Sequence, residues 1–133
     1  MRDFRLYIHD LIWLRRHHPA LRSETVNVFN IDEYNRILAF HRWLPNVGRD
    51  VVVVISLREQ NFENRSYNLG FPFPGQWYEV FNGDVYDFFP NPSATGNGGH
   101  ISADGPMLHG LQCSAGITIP ANGVLVFARD TGD

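Results

Sequence analysis

The side chains of this 133-residue chain with types suited to chemistry are six histidines, one cysteine and a scatter of carboxylates. His17 and His18 are adjacent, so on a helix they diverge by about 100° and cannot converge on one metal. His41 sits among apolar strand residues, while His100 and His109 fall in loop-like sequence. All are expected to be surface or capping histidines. Cys113 follows His109 by four residues, and such a pair could supply a nucleophile and its base. The segment between them has turn character, however, and offers no third group to orient the base. A small buried Cys on a strand is expected instead. Asp84 and Asp87 could be paired carboxylates of a glycosidase, which need a fixed separation across a cleft. Beside Asn82-Gly83 they read as turn and edge residues. Gly96-Asn97-Gly98-Gly99 lacks the strand-to-helix setting and basic partner of a phosphate cradle, and Asn64-Arg65-Ser66 matches a glycosylation acceptor at chance frequency. The chain is expected to carry no catalytic residue, no metal site and no cofactor.

Aromatic rings are the remaining feature with functional potential. Trp43, Trp77, Tyr78, Tyr86, Phe88 and Phe89 could include a flat platform for sugars, whose apolar ring faces stack on aromatics. Trp77, beside Gly75 after a Pro-rich loop, and Tyr86 are the candidate sugar contacts. The competing role for each ring is to fill the core.

Composition narrows the function classes further. All eleven basic residues are Arg. With no Lys, the Walker A lysine, Schiff-base chemistry and a lysine-held pyridoxal cofactor are excluded. A net charge of −3 argues against nucleic acid as a partner. One cysteine rules out an intrachain disulfide and any site built on several thiolates, and a reducing, cytoplasmic location is expected. The first apolar stretch is broken by His9, Asp10, Arg15 and Arg16, unlike a signal peptide. No apolar run approaches the roughly 18 residues of a membrane span. The length suits one ordinary domain and is too short for a (β/α)8 barrel of about 250 residues.

The elements that would position these residues divide the chain in two. Phe4, Tyr7, Ile8, Leu11, Ile12 and Leu14 fall within a stripe about 160° wide, which predicts an amphipathic helix. Pro19 should end it near His17. Leu6 and Trp13 project from the opposite side, and a helix apolar on two sides sits between two bodies. From Ser23 onward the runs 25–29, 36–44, 51–57, 76–81, 117–119 and 124–129 are short, β-branched or aromatic, and bounded by turn residues. Val51-Val52-Val53-Val54-Ile55 is apolar on both sides, as a central strand covered on both faces would be. Glu33-Tyr34-Asn35, residues 45–50 and Asn82-Gly83-Asp84 read as hairpin connections, and Pro120-Ala121-Asn122-Gly123 as the turn joining the final pair. Residues 88–99 should form an irregular surface loop. The expected fold is all-β: an antiparallel β-sandwich of about seven or eight strands after one N-terminal amphipathic helix.

An ordered set of segments is more specific than composition. Leu11-Ile12-Trp13-Leu14-Arg15-Arg16-His17-His18-Pro19-Ala20-Leu21-Arg22 resembles the segment at the last barrel helix of α-amylase-family enzymes (glycoside hydrolase family 13). Beyond it, Ile37-Leu38-Ala39-Phe40-His41-Arg42, residues 51–56, the stretch from Phe71-Pro72 through Trp77 to Asn82-Gly83-Asp84, and Ile117-Thr118-Ile119-Pro120 through Phe127 are similar, in order, to the C-terminal all-β domain of 1,4-α-glucan branching enzymes. Phe88-Phe89-Pro90-Asn91-Pro92 departs from that pattern.

The resemblance implies residues 1–22 as the last helix of a missing (β/α)8 barrel and residues 23–133 as the sandwich. It implies a non-catalytic domain that packs on the barrel of the same polypeptide and stabilises it. The parent's activity would be branching of α-glucan in glycogen or starch metabolism, and no catalytic position of that family matches this chain. Phe4, Leu6, Ile8, Leu11 and Trp13 would pack between domains, and exposing them would drive the isolated domain to self-associate. A free-standing carbohydrate-binding module, and the C-terminal domain of another α-amylase-family enzyme, are the rival expectations.

Overall fold

The computed structural model describes residues 4–22, 26–43, 49–83, 97 and 99–129, without the side chains of residues 4–7. Helix α1 spans Phe4–His17 and gives way to a 3-10 turn at Pro19–Arg22. It stops where Pro19 forbids helical geometry for the residue before it. Arg15, Arg16 and His17 in its last turn suit the negative end of the helix dipole. There Arg49 Nη2 also donates to the His17 carbonyl at 2.6 Å.

Eight strands follow: β1 Val26–Asp32, β2 Ile37–Arg42, β3 Val51–Ser56, β4 Phe62–Phe71, β5 Gly75–Asn82, β6 His100–Ala103, β7 Cys113–Ile119 and β8 Val124–Ala128. They form an antiparallel sandwich of one six-stranded sheet, ordered β1-β2-β3-β8-β5-β6, and one two-stranded sheet, β4-β7. The expected class and strand count hold, and β3 is the fully flanked strand its unbroken apolar run implied.

Two strands carry weaker sequence signals. In β4, Tyr67, Leu69 and Phe71 alternate inward, but a bulge over 63–66, with Asn64 and Arg65 at positive φ, interrupts the run. β6 is four residues long, and only Ile101 and Ala103 point inward.

Two connections differ from expectation. Asn82-Gly83 closes no tight hairpin, because β5 pairs with β6 through Tyr78↔His100 and Gly75↔Ala103, across a long connection. Pro120-Ala121-Asn122-Gly123 carries the chain from one sheet to the other: β7 pairs with β4, while β8 lies between β3 and β5. Residues 44–48 and 84–96 lie outside the described residues, and with them Asp84, Asp87 and most of the expected 88–99 loop.

The main core lies between the sheets. Ile37, Ala39, Val52, Val54, Leu125 and Phe127 of the large sheet meet Leu69, Phe71, Cys113, Ala115, Ile117 and Ile119 of the small one. A second cluster covers the outer face of the large sheet, where Leu14 and Ala20, with half-buried Leu11 and Leu21, pack on Val51, Val53, Phe81, Val126 and Ala128. Strand β5 reaches both clusters because its register shifts between Glu79 and Phe81, turning Trp77 inward and Phe81 outward.

Candidate functional site

The two candidate sugar contacts fare differently. Trp77 is 0% exposed; its Nε1 donates to the Phe73 carbonyl at 3.0 Å, and its ring packs on Phe71 with centroids 5.3 Å apart. Such a ring has no solvent-facing side on which a sugar could stack; it fills the core. Inward alternation on β5 puts it there. Tyr86 lies outside the described residues. Trp43 stacks on His41 at 4.7 Å.

Among the described residues, the most exposed aromatic is one that composition alone did not single out. Tyr34 sits 88% exposed in the turn between β1 and β2. Its signal in the sequence was position: an aromatic in the middle of a hairpin connection has no core to enter. Beside it lies an open groove of about 980 Å³, lined by Tyr34, Asn35, Arg36, Arg58, Glu59 and Gln60.

A chain of hydrogen bonds holds this end of the sandwich. Asn30 Nδ2 donates to the Tyr67 hydroxyl at 2.9 Å, and that hydroxyl donates to Asp32 Oδ2 at 3.0 Å. Asp32 accepts from the Asn35 backbone at 3.1 Å and from its side-chain amide at 2.9 Å. Arg58 donates to Asn35 Oδ1 at 2.7 Å and to Gln60 Oε1 at 3.3 Å, while its guanidinium lies 4.2 Å over Phe62. The Asn35 amide, followed by its backbone N–H and the Tyr67 hydroxyl, lowers the Asp32 carboxyl below its ordinary range against a raising effect of burial. Burial, reinforced by the neighbouring Asp32, pushes the Tyr67 phenol up to about 12 although Asn30 opposes the rise. The turn is thus pinned by an ionised carboxylate.

Helix α1 supplies the other exposed surface. Leu14 is buried and Leu11 half-buried against the sheet, so the sandwich takes one side of the predicted stripe. Ile8, Ile12 and Trp13 remain 38%, 50% and 37% exposed. The side chains of Phe4 and Leu6 lie outside the described residues. Trp13 stacks on His17 at 4.0 Å, and His17 Nδ1 donates to the Trp13 carbonyl at 2.8 Å. Farther along the same outer face, Ile31 and Leu57 are 70% and 66% exposed and line an apolar groove with Leu38 and Ile55.

Residues 26–130 match the family described as alpha amylase, C-terminal all-beta domain. The chain belongs to that family. It is similar to the 1,4-alpha-glucan branching enzyme GlgB of Pseudomonas syringae pv. tomato, 31% identical over 101 residues that cover 76% of this chain and 13% of that protein. The 1,4-alpha-glucan branching enzyme GlgB 1 of Xanthomonas axonopodis pv. citri is 30% identical over 131 residues, 94% of this chain and 18% of that one. The corresponding Frankia casuarinae enzyme is 29% identical over 124 residues, 89% and 15%. The chain therefore spans less than a fifth of the length of these relatives.

Cys113, His109 and His41 of this alpha-amylase C-terminal domain are structurally engaged. Cys113 is buried on β7 and its thiol donates to the Phe71 carbonyl at 3.3 Å; burial pushes its pKa up, away from nucleophilic use. His109 accepts the Gly70 N–H on Nδ1 at 3.0 Å, and burial, opposed by Asp32, lowers its pKa, in keeping with that acceptor role. His41 Nε2 meets Asp50 Oδ2 at 2.6 Å with both groups buried. Among the described residues, no three His, Cys, Asp or Glu side chains converge on a metal position. No described helix is long and apolar enough to cross a membrane.

Proposed function

We propose that this chain is the C-terminal β-sandwich of a 1,4-α-glucan branching enzyme. It carries no reaction itself; it packs on, and stabilises, a (β/α)8 barrel supplied by other residues of the same polypeptide in the cytosol. Residues 1–22 are the last barrel helix and residues 23–133 the sandwich. The family match begins only at Val26, which fits a helix belonging to the neighbouring unit. The observation that carries the reading is the apolar surface of α1 that the sheet leaves uncovered. Leu11 and Leu14 are taken by the sheet, while Ile8, Ile12 and Trp13 stay exposed together on one helix and favour a second body there. The named activity of relatives several times longer than this chain supports reading that body as a branching-enzyme barrel.

The test joins this chain to its upstream barrel and reads new α-1,6 linkages on amylose by proton NMR, together with the thermal midpoint. The joined protein should branch amylose, and Ile12→Glu should lower its midpoint and the branching retained after heating. The 133-residue chain alone should form no α-1,6 linkage. Branching by the chain alone, or indifference of the joined protein to Ile12→Glu, overturns the reading.

A further inference from the structure

The connection between β6 and β7 is tied down by a histidine at its tip. Leu108 and Leu111 exchange backbone hydrogen bonds at 3.2 and 2.9 Å, which leaves His109 and Gly110 as a two-residue loop with φ of 54° and 76°. A loop of that shape favours Asn, Asp or Gly at its first position. What a histidine adds there is its ring. His109 Nδ1 accepts the Gly70 N–H at 3.0 Å, on the edge of β4 turned away from β7. The turn lies so close to β4 that a Cβ on Gly70 would collide with the Leu108 carbonyl oxygen. Nearer β6, the Gly105 N–H donates to the Ser114 carbonyl of β7 at 2.8 Å. Among the described residues, the hydrogen bond that ties the tip itself to β4 is the one made by His109.

That bond exists in a single protonation state. Nδ1 accepts only while it carries no proton, with the imidazole proton on Nε2; the imidazolium has donors on both nitrogens and would set one N–H against another. Burial lowers the His109 pKa from its ordinary 6.5, against an opposing effect of Asp32 on β1. Among the described residues Asp32 is the charged group that acts on the ring. Its carboxylate is already engaged by Asn35 and by the hydroxyl of Tyr67 on β4, a phenol that stays protonated with its pKa at about 12. Phe29 on β1 brings an uncharged ring to 6.3 Å. A histidine whose folded pKa is lowered holds its contact in full above the ordinary value and loses it as pH falls through that value toward the folded one.

We propose that His109 is an acid-released latch: neutral, it holds the tip of the β6–β7 connection on the edge of β4, and protonated, it gives up the Gly70 N–H and lets the tip lift away while both sheets stay paired. Release leaves that edge of β4 open to another strand.

Amide hydrogen exchange of the 133-residue chain, followed by NMR at pH 7 and pH 5 and corrected for the intrinsic exchange rate, tests this. An ordinary imidazole is protonated about thirtyfold over neutral at pH 5, so the protection of the Gly70 amide should fall severalfold, up to about that factor. The amides of β3 should keep their protection at both pH values, because the opening is local. The drop at Gly70 should follow the titration of the His109 ring protons. His109→Asn places an amide oxygen where Nδ1 stood, suits the positive φ and does not titrate, so its Gly70 protection should be the same at both pH values. Wild-type Gly70 protection that does not change between pH 7 and pH 5, a loss shared equally by β3, or a His109→Asn variant that opens in acid as the wild type does overturns the proposal.

Discussion

Asn97 shows how one side chain can substitute for a strand. Its amide donates to the Thr118 carbonyl at 2.9 Å and accepts the Thr118 N–H at 2.8 Å, as a neighbouring peptide would along the edge of β7. Its backbone N–H and Nδ2 also reach Glu79 Oε2, at 3.0 and 2.8 Å. Burial pushes the Glu79 carboxyl up, opposed by these bonds to Asn97. Arg65, projecting from the β4 bulge, donates to the Asn97 carbonyl at 3.2 Å. Asn97→Ala would strand buried donors and acceptors on β7 and beside Glu79, at a cost of about 2–3 kcal/mol. Urea denaturation should show a lower midpoint with an unchanged slope; a shift below experimental error would mean that water replaces the amide. None of this was legible in Gly96-Asn97-Gly98-Gly99, because the partners lie 18 and 21 residues away along the chain.

Helix α1 and the outer face of the large sheet form the element whose periodicity was plainest and whose partition was not. A stripe of six apolar residues predicts a helix but does not say which part the sheet receives. The sheet takes Leu11 and Leu14 because the 3-10 turn brings Ala20 and Leu21 down beside them onto Val51, Val53 and Val126. Leu14→Ala should therefore cost about 2–4 kcal/mol in the 133-residue chain, by loss of burial and the cavity left behind. Ile12→Ala, at a half-exposed position, should cost under about 0.5 kcal/mol. Equal losses in the two variants would mean that α1 is rotated on the sheet from the position described. The β4 strand teaches a related lesson. Tyr67, Leu69 and Phe71 keep the period of two, but Asn64, Arg65 and Gly70 mask it. Gly70 is required there because a Cβ would collide with the Leu108 carbonyl oxygen, a reason that no local pattern contains.

For the molecule as a whole, the two clusters flanking the large sheet explain why β3 and β8 are apolar on both faces: one face meets the small sheet and the other meets α1. What is left uncovered is also apolar, from Ile8 and Ile12 on the helix to Ile31 and Leu57 at the β1–β2 side. With no second body against it, such a surface favours association between copies. Light scattering of the 133-residue chain should give a mass that rises with concentration. Ile8→Glu combined with Ile12→Glu should return it to the monomer while retaining the β-sheet circular dichroism. A wild-type chain that stays monomeric at high concentration would show that this surface needs no cover.

The sequence by itself determined the antiparallel class, the helix ended by Pro19, the doubly buried β3 and the family resemblance, because each rests on periodicity, turn chemistry or the order of short segments along the chain. Only the tertiary structure decided that Trp77 belongs to the core, that Pro120–Gly123 crosses between sheets, and that Tyr34 stands beside a groove built from the β1–β2 turn and the β3–β4 connection. Those facts depend on which strands become neighbours. Pairing among eight similar β runs is set by the joint packing of two sheets and a helix, a property of the assembled core that no single segment encodes.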